Sequence, residues 1–280
     1  MLNQRITTAI FIAIVFIAVL IFFNPSFIFF LSAIIIIYAS WEWANLAGYC
    51  TFYTKLFYAF LMLGALLLSG FLVDAHKPTS LDLVAGKAIL LYLIPWWGFA
   101  LFFIQSYPGN SVIWGSKFAR GVIGFFILVP TWVAIVILAS LDNGEWLIFT
   151  VAAIVAVSDI GAYFAGLKLG KCKLCPDVSP NKTWEGFLGA VVVNLFLIIF
   201  LGIFLQSSLI SWFMLFLLVM TTALSSVVGD LLVSMMKRYR GIKDTGNILP
   251  GHGGILDRID SHTAAFPVFT LIFIYSNFQF

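Results

Sequence analysis

Apolar runs of about 20 residues recur from one end of this chain to the other, and nothing else in it limits the fold so strongly. Read along the sequence they fall at roughly 6–23, 26–47, 54–73, 87–106, 119–140, 145–169, 184–205, 209–236 and 262–279. In hydrocarbon only helices and closed barrels satisfy every backbone N–H and C=O group. These runs are continuous rather than alternating, which excludes the barrel. The expected fold is therefore an all-α, polytopic integral membrane protein of about nine transmembrane helices, one membrane domain over 1–280 with no internal repeat. The first run, from Thr7, is long for a signal-peptide core and lacks a small-residue cleavage pattern, so it reads as a retained helix. Hydrophobic residues make up 62% and charged residues 10%, against about 25% charged in soluble domains. With 15 Lys and Arg against 12 Asp and Glu there is no broad basic face, so nucleic acid is not an expected partner.

Where charge is scarce, its position carries information. With nine spans, 13 of the 15 cations fall on one side, in the N-terminus and the even-numbered connections. They are Arg5, Lys55, Lys117, Arg120, Lys168, Lys171, Lys173, Lys182, Lys237, Arg238, Arg240, Lys243 and Arg258. Lys77 and Lys87 fall on the other. The positive-inside rule then expects the N-terminus and both long polar loops in the cytoplasm.

Three carboxylates lie within spans: Glu42, Asp159 and Asp230. A charge there is costly and faces the bundle interior. Glu42, between Trp41 and Trp43 near a span end, reads as a packing group or a span edge in an interfacial aromatic belt. Asp230 is sharper: Ser226, Asp230 and Ser234 follow at i, i+4 and i+8, one polar stripe on a helix that Lys237 extends. Asp159 has Tyr163 one turn on, with Gly161 and Gly166 permitting close approach.

Two connections hold the candidate chemistry. In Ser179–Gly186, Pro180 is expected to break the preceding helix, and Asn181 or Thr183 to cap the next. Lys182 beside that helix start suits an anion, or equally an ordinary capped entry with positive-inside lysines. The connection after the eighth span opens with Lys237, Arg238, Arg240 and Lys243. It continues into a glycine-rich turn, Pro250–Gly254, whose amides suit a phosphate nest, and ends with Asp257, Asp260 and Ser261 at i, i+3, i+4. Paired carboxylates tolerate each other beside a divalent cation, and hard oxygen donors favour Mg²⁺. Cations, a nest and carboxylates together suit phosphoryl or nucleotidyl transfer. No Walker A, H-E-x-x-H or G-x-S-x-G pattern occurs. Cys172 and Cys175 form a C-x-x-C without the second half of a zinc site. A cation-coupled transporter would explain Asp159 and Asp230 but not the His252-Gly253-Gly254 turn. A polyprenol kinase shares the phosphate logic with a different acceptor, and the motif of a CDP-alcohol phosphotransferase is absent.

Ser234 to Asp260 resembles the C-terminal signature of the phosphatidate cytidylyltransferases, S-x-[apolar]-K-R-x4-K-D-x-[small]-x2-[apolar]-[small or Pro]-x-H-G-G-[apolar]-x-D-R-[apolar]-D, at every fixed position. Ser158–Gly166 and Ser179–Gly186 resemble the family's upstream blocks. The resemblance implies CTP and phosphatidate as substrates. It implies Asp230 and Asp257 around Mg²⁺, with K⁺ as an accompanying ion. Asp260 is a further candidate ligand, and Asp257, Asp230, Lys243 and Arg258 are the candidate catalytic residues. Substrate contacts are expected from Ser179, Asn181, Lys182, Thr183, Lys237, Arg238, His252, Gly253, Gly254 and Asp159. It also implies a homodimer in a bacterial-type inner membrane with the site on the cytoplasmic side. The helices of 1–140 are then a candidate subunit contact, and 145–280 the catalytic part.

Overall fold

The computed structural model describes residues 2–76, 81–205, 209–248, 251 and 253–276, with the backbone alone at 2–6, 93, 209 and 210. Lys77, Pro250 and His252 lie outside the described residues. The chain runs through α1 (Leu2–Phe22), α2 (Pro25–Ala47), α3 (Phe52–Leu72), α4 (Leu83–Leu91), α5 (Leu93–Ser106), the single turn α6 (Ser111–Trp114), α7 (Lys117–Ser140) and α8 (Gly144–Leu169). A short hairpin, β1 (Lys173–Cys175) and β2 (Ser179–Thr183), precedes α9 (Trp184–Phe204), α10 (Leu209–Tyr239), the turn α11 (Leu256–Ile259) and α12 (His262–Ser276).

Among the described residues, seven helical stretches are long and apolar enough to cross a membrane: α2, α3, α4 with α5, α7, α8, α9 and most of α10. The protein is thus a multi-pass membrane protein. The first and last expected spans, at α1 and α12, are apolar helices as well, α12 being described as far as Ser276.

Local chemistry places the ends. Asn24 accepts the Phe27 N–H at 3.0 Å and Pro25 opens α2, which stops where Gly48 turns left-handed at φ 97°. Arg120 donates to the Leu46 carbonyl at 2.7 Å and Arg240 to that of Asn45 at 3.1 Å, so two guanidinium groups satisfy carbonyls at the end of α2. α2 lies along α7, where the fully buried Trp43 donates to the Arg120 carbonyl at 2.8 Å and Trp132 to that of Phe29 at 3.1 Å. Trp43 is therefore a core residue; the belt reading fails because this tryptophan faces a neighbouring helix.

The all-α expectation needs one correction. β1 and β2 pair antiparallel between α8 and α9, with Lys173 opposite Thr183 and Cys175 opposite Ser179. Pro180 belongs to β2 and breaks no helix, because α8 has already ended at Leu169. α8 and α9 make the most extensive helix contact. Bare backbone permits it: a Cβ at Gly189 would collide with Ala165 and lie 2.8 Å from the Gly161 carbonyl oxygen. Gly189→Val should destabilise the protein by about 1–3 kcal/mol through overpacking. Thermal unfolding in detergent should show a lowered midpoint, and an unchanged one would remove this contact from the account.

Candidate active site

The site forms where α8, the hairpin, α10 and the turn before α11 meet. Asp230 sits midway along α10. Ser234, one turn on, donates to its Oδ1 at 3.1 Å. Lys182, at the end of β2, makes an ion pair with its other oxygen. The hairpin exists to the extent that it delivers this lysine: Thr183 caps α9 by accepting the Gly186 N–H at 3.1 Å, fixing the chain direction just after Lys182. Asn181 is exposed and caps nothing. Ser226, expected on the same stripe, donates to its own helix at the Ala223 carbonyl.

One helix end further, Lys237 Nζ meets Asp257 Oδ1 at 2.8 Å, with both side chains nearly closed to solvent. Asp257 Oδ2 accepts from Thr245 N–H at 2.8 Å, Thr245 Oγ1 at 3.0 Å and Gly254 N–H at 3.0 Å. Burial works to raise the Asp257 carboxyl, and Lys237 with the Gly254 and Thr245 amides outweighs it, holding the group below the usual carboxylate range. Gly253 is left-handed at φ +81°, and a Cβ there would sit 2.8 Å from Asp257 Oδ2, so this position needs glycine twice over. The amides of the glycine turn thus hold a carboxylate of the chain itself. A second one reaches in from α2: Glu42, buried at 3% exposure, accepts from Ile255 N–H at 3.2 Å and Leu256 N–H at 2.7 Å, and its Oε2 lies 3.1 Å from Thr245 Oγ1, whose one hydrogen is shared between Glu42 and Asp257. Glu42 is thus a packing group, bound to the backbone at the start of α11. Thr245 and Glu42 are the residues that sequence reasoning missed. The signal was there, a carboxylate inside a span, but two flanking tryptophans argued it away.

Asp260 accepts from the Ser261 N–H at 2.9 Å and lies within electrostatic reach of Asp230, Lys237 and Lys182. Burial, joined by the negative charge of Asp230, pushes the Asp260 carboxyl up to about 8. Asp159 on α8 feels Asp230, Lys182 and Arg258. Lys243, Asp244 and Arg258 are exposed, and Arg238 donates to the Val178 carbonyl at 3.1 Å, latching α10 to the hairpin.

Beside Lys182 opens a cleft of about 310 Å³. Ser158, Asp159, Ser179, Asn181 and Lys182 give it polar groups, and Tyr163, Phe187 and Val227 an apolar wall. A cleft of both characters suits an amphipathic substrate with an anionic head.

The described residues contain no group of three or more metal-type side chains, so a resident all-protein cage is not present among them. The donor set still fits Mg²⁺, which takes one or two carboxylates and completes its shell with water and substrate phosphates. Asp230 and Asp257 each already hold a cation, the ammonium of Lys182 and of Lys237.

A family model for cytidylyltransferases matches residues 3–276. The chain belongs to the cytidylyltransferase family. A phosphatidate cytidylyltransferase of Pseudomonas aeruginosa is 38% identical over 272 residues, covering 97% of each chain. One of Haemophilus influenzae is 33% identical over 292 residues, covering 98% of this chain and 99% of its own. One of Bacillus subtilis is 37% identical over 174 residues, covering 60% and 64%. The likeness to the first two runs over nearly the whole chain, beyond the 158–261 region where the motifs lie.

The raised Asp260 carboxyl gives a pH signature. A carboxyl that ionises near 4 unfolded and at about 8 folded binds its proton more tightly when folded, so stability falls as pH rises across that window. Chelator-treated protein should show a thermal midpoint that declines from pH 5 to pH 8, with Asp260→Asn flattening the decline. An identical slope in the variant would remove Asp260 as its source.

Proposed function

We propose that this chain is a phosphatidate cytidylyltransferase, converting CTP and phosphatidate to CDP-diacylglycerol and pyrophosphate. The observation that carries the reading is the convergence of Lys182–Asp230 and Lys237–Asp257 at one edge of a helical membrane domain of this family.

A phosphate oxygen of phosphatidate attacks the α-phosphorus of CTP. The bond from that phosphorus to the bridging oxygen breaks, and pyrophosphate leaves with the electron pair. No protein nucleophile is required, so the residues work by positioning and by neutralising charge. Lys182, at the mouth of the cleft beside the capped start of α9, suits the CTP phosphates, with Ser179, Asn181 and Thr183 around it. Lys237, Lys243 and Arg258 supply further positive charge, and Asp159 orients the cations facing it. Arg238 holds the hairpin in place, Gly253 and Gly254 belong to the turn beside Asp257, and His252 is a further candidate for substrate contact. Asp230 and Asp257, with Asp260 nearby, are the groups that would hold Mg²⁺, with K⁺ as companion. Such an ion would supply positive charge against the crowded phosphates. Lys182 and Lys237 are paired with the same carboxylates and would add their own.

The apolar wall of the cleft lets the acyl chains stay in lipid while the phosphate enters. The 13-to-2 distribution of cations supports nine membrane segments, a cytoplasmic N-terminus and a site on the cytoplasmic face of the inner membrane, where CTP is present. A homodimer through the helices of 1–140 accords with the apolar residues that α3 leaves exposed.

Purified protein in detergent with CTP labelled at the α-phosphate, phosphatidate and Mg²⁺ should yield labelled lipid and unlabelled pyrophosphate, and EDTA should stop it. Asp257→Asn and Asp230→Asn should each cut turnover by about 10²-fold or more. No labelled lipid from the unaltered protein would overturn the function. Near-normal turnover in either variant would overturn the role given to that carboxylate.

A further inference from the structure

Glu42 plays no part in the chemistry above, yet its carboxylate is spent entirely on the turn that presents Asp257. Ile255 and Leu256 give it their backbone N–H groups, and the Thr245 hydroxyl lies between it and Asp257, 3.1 Å from Glu42 Oε2 and 3.0 Å from Asp257 Oδ2. The fit is close enough to dictate the sequence opposite. A Cβ at Gly254 would lie 2.5 Å from both Glu42 oxygens, and one at Gly246 would collide with Oε1. Two glycines of the 245–256 turn are thus matched to a carboxylate on α2, far away in the chain.

A buried anion is costly unless its lone pairs are filled, and here backbone amides fill them. That cost fixes the turn in one place: sliding it along α2 by a residue would strip Glu42 of its donors. A hydrocarbon side chain at 42 could fill the space without specifying the register. Thr245 passes the constraint on, because its N–H and hydroxyl both bind Asp257.

We infer that Glu42 is a positioning residue of the transferase site, setting Thr245, Gly246 and residues 254–256 against α2 so that Asp257 is held at Lys237. The inference rests on the functional reading above and deepens it. It gives the N-terminal half a direct part in the site, and it assigns Gly246 and Gly254 to contact with a protein carboxylate.

Glu42→Gln keeps the shape but replaces an acceptor oxygen by a donor NH₂ group facing N–H donors. Amide hydrogen exchange at 245–256 should accelerate by at least about tenfold while exchange in α8 and α9 stays as in the unaltered protein. kcat/KM for CTP should fall by at least about tenfold. Gly246→Ala, whose Cβ would collide with Glu42 Oε1, should give the same pattern from the other side of the contact. In a Glu42→Ala background the added methyl has room, so Glu42→Ala with Gly246→Ala should be no worse than Glu42→Ala alone. Unaltered exchange at 245–256 in Glu42→Gln would overturn the inference. So would exchange accelerated equally through α2, α7 and α10, or fully additive losses in the double variant. An unaltered protein that makes no labelled lipid would instead overturn the functional reading, leaving the exchange result to stand on the contact itself.

Discussion

The ion pair between Lys237 and Asp257 ties the last turn of α10 to the polar turn that follows it. Both groups are nearly closed to solvent. Removing two charges from water costs several kcal/mol each, and attraction offsets that only when the remaining lone pairs are also filled. Thr245 and Gly254 fill those of Asp257. The pair therefore cannot form in isolation: it demands the turn, the turn demands glycines, and Glu42 demands the register.

Three parts of the chain converge on the result. α10 contributes Asp230 and Lys237, the hairpin contributes Lys182, and α2 contributes the carboxylate beneath the turn. A membrane domain with few charges has placed nearly all of its buried ones at a single edge. Glu42, Lys237 and Asp257 are each met by an opposite charge or a backbone donor, and Arg120 donates to the Leu46 carbonyl. The same arrangement leaves a cleft with a polar floor and an apolar wall, the shape that an anionic lipid needs.

Much of this was legible in the sequence. Spans were readable because apolar length is a one-dimensional property, and Ser234 beside Asp230 because helical spacing is local. The Lys182–Asp230 pair was not, since only the packing of α8, α9 and α10 brings β2 to that helix. The hairpin escaped because strands of three and five residues leave no periodicity to read. Glu42 was noticed and set aside on its tryptophan neighbours, one of which turned out to be core. The glycine turn was read as a nest for phosphate. Its described amides at 254–256 hold Asp257 and Glu42, and the sequence has no way of saying which anion a set of amides will meet.

The central claim is that Asp257 is chemistry as well as scaffold, and neutralising both members of the pair separates these roles. Lys237→Met combined with Asp257→Asn leaves neither charge buried and unpaired, and the side-chain oxygen of the introduced amide can still accept from the Thr245 and Gly254 amides. The account predicts that this double variant regains thermal stability lost in either single variant, yet forms no CDP-diacylglycerol from CTP and phosphatidate. Turnover near that of the unaltered protein in the double variant would contradict it, and would reduce the pair to a structural tie.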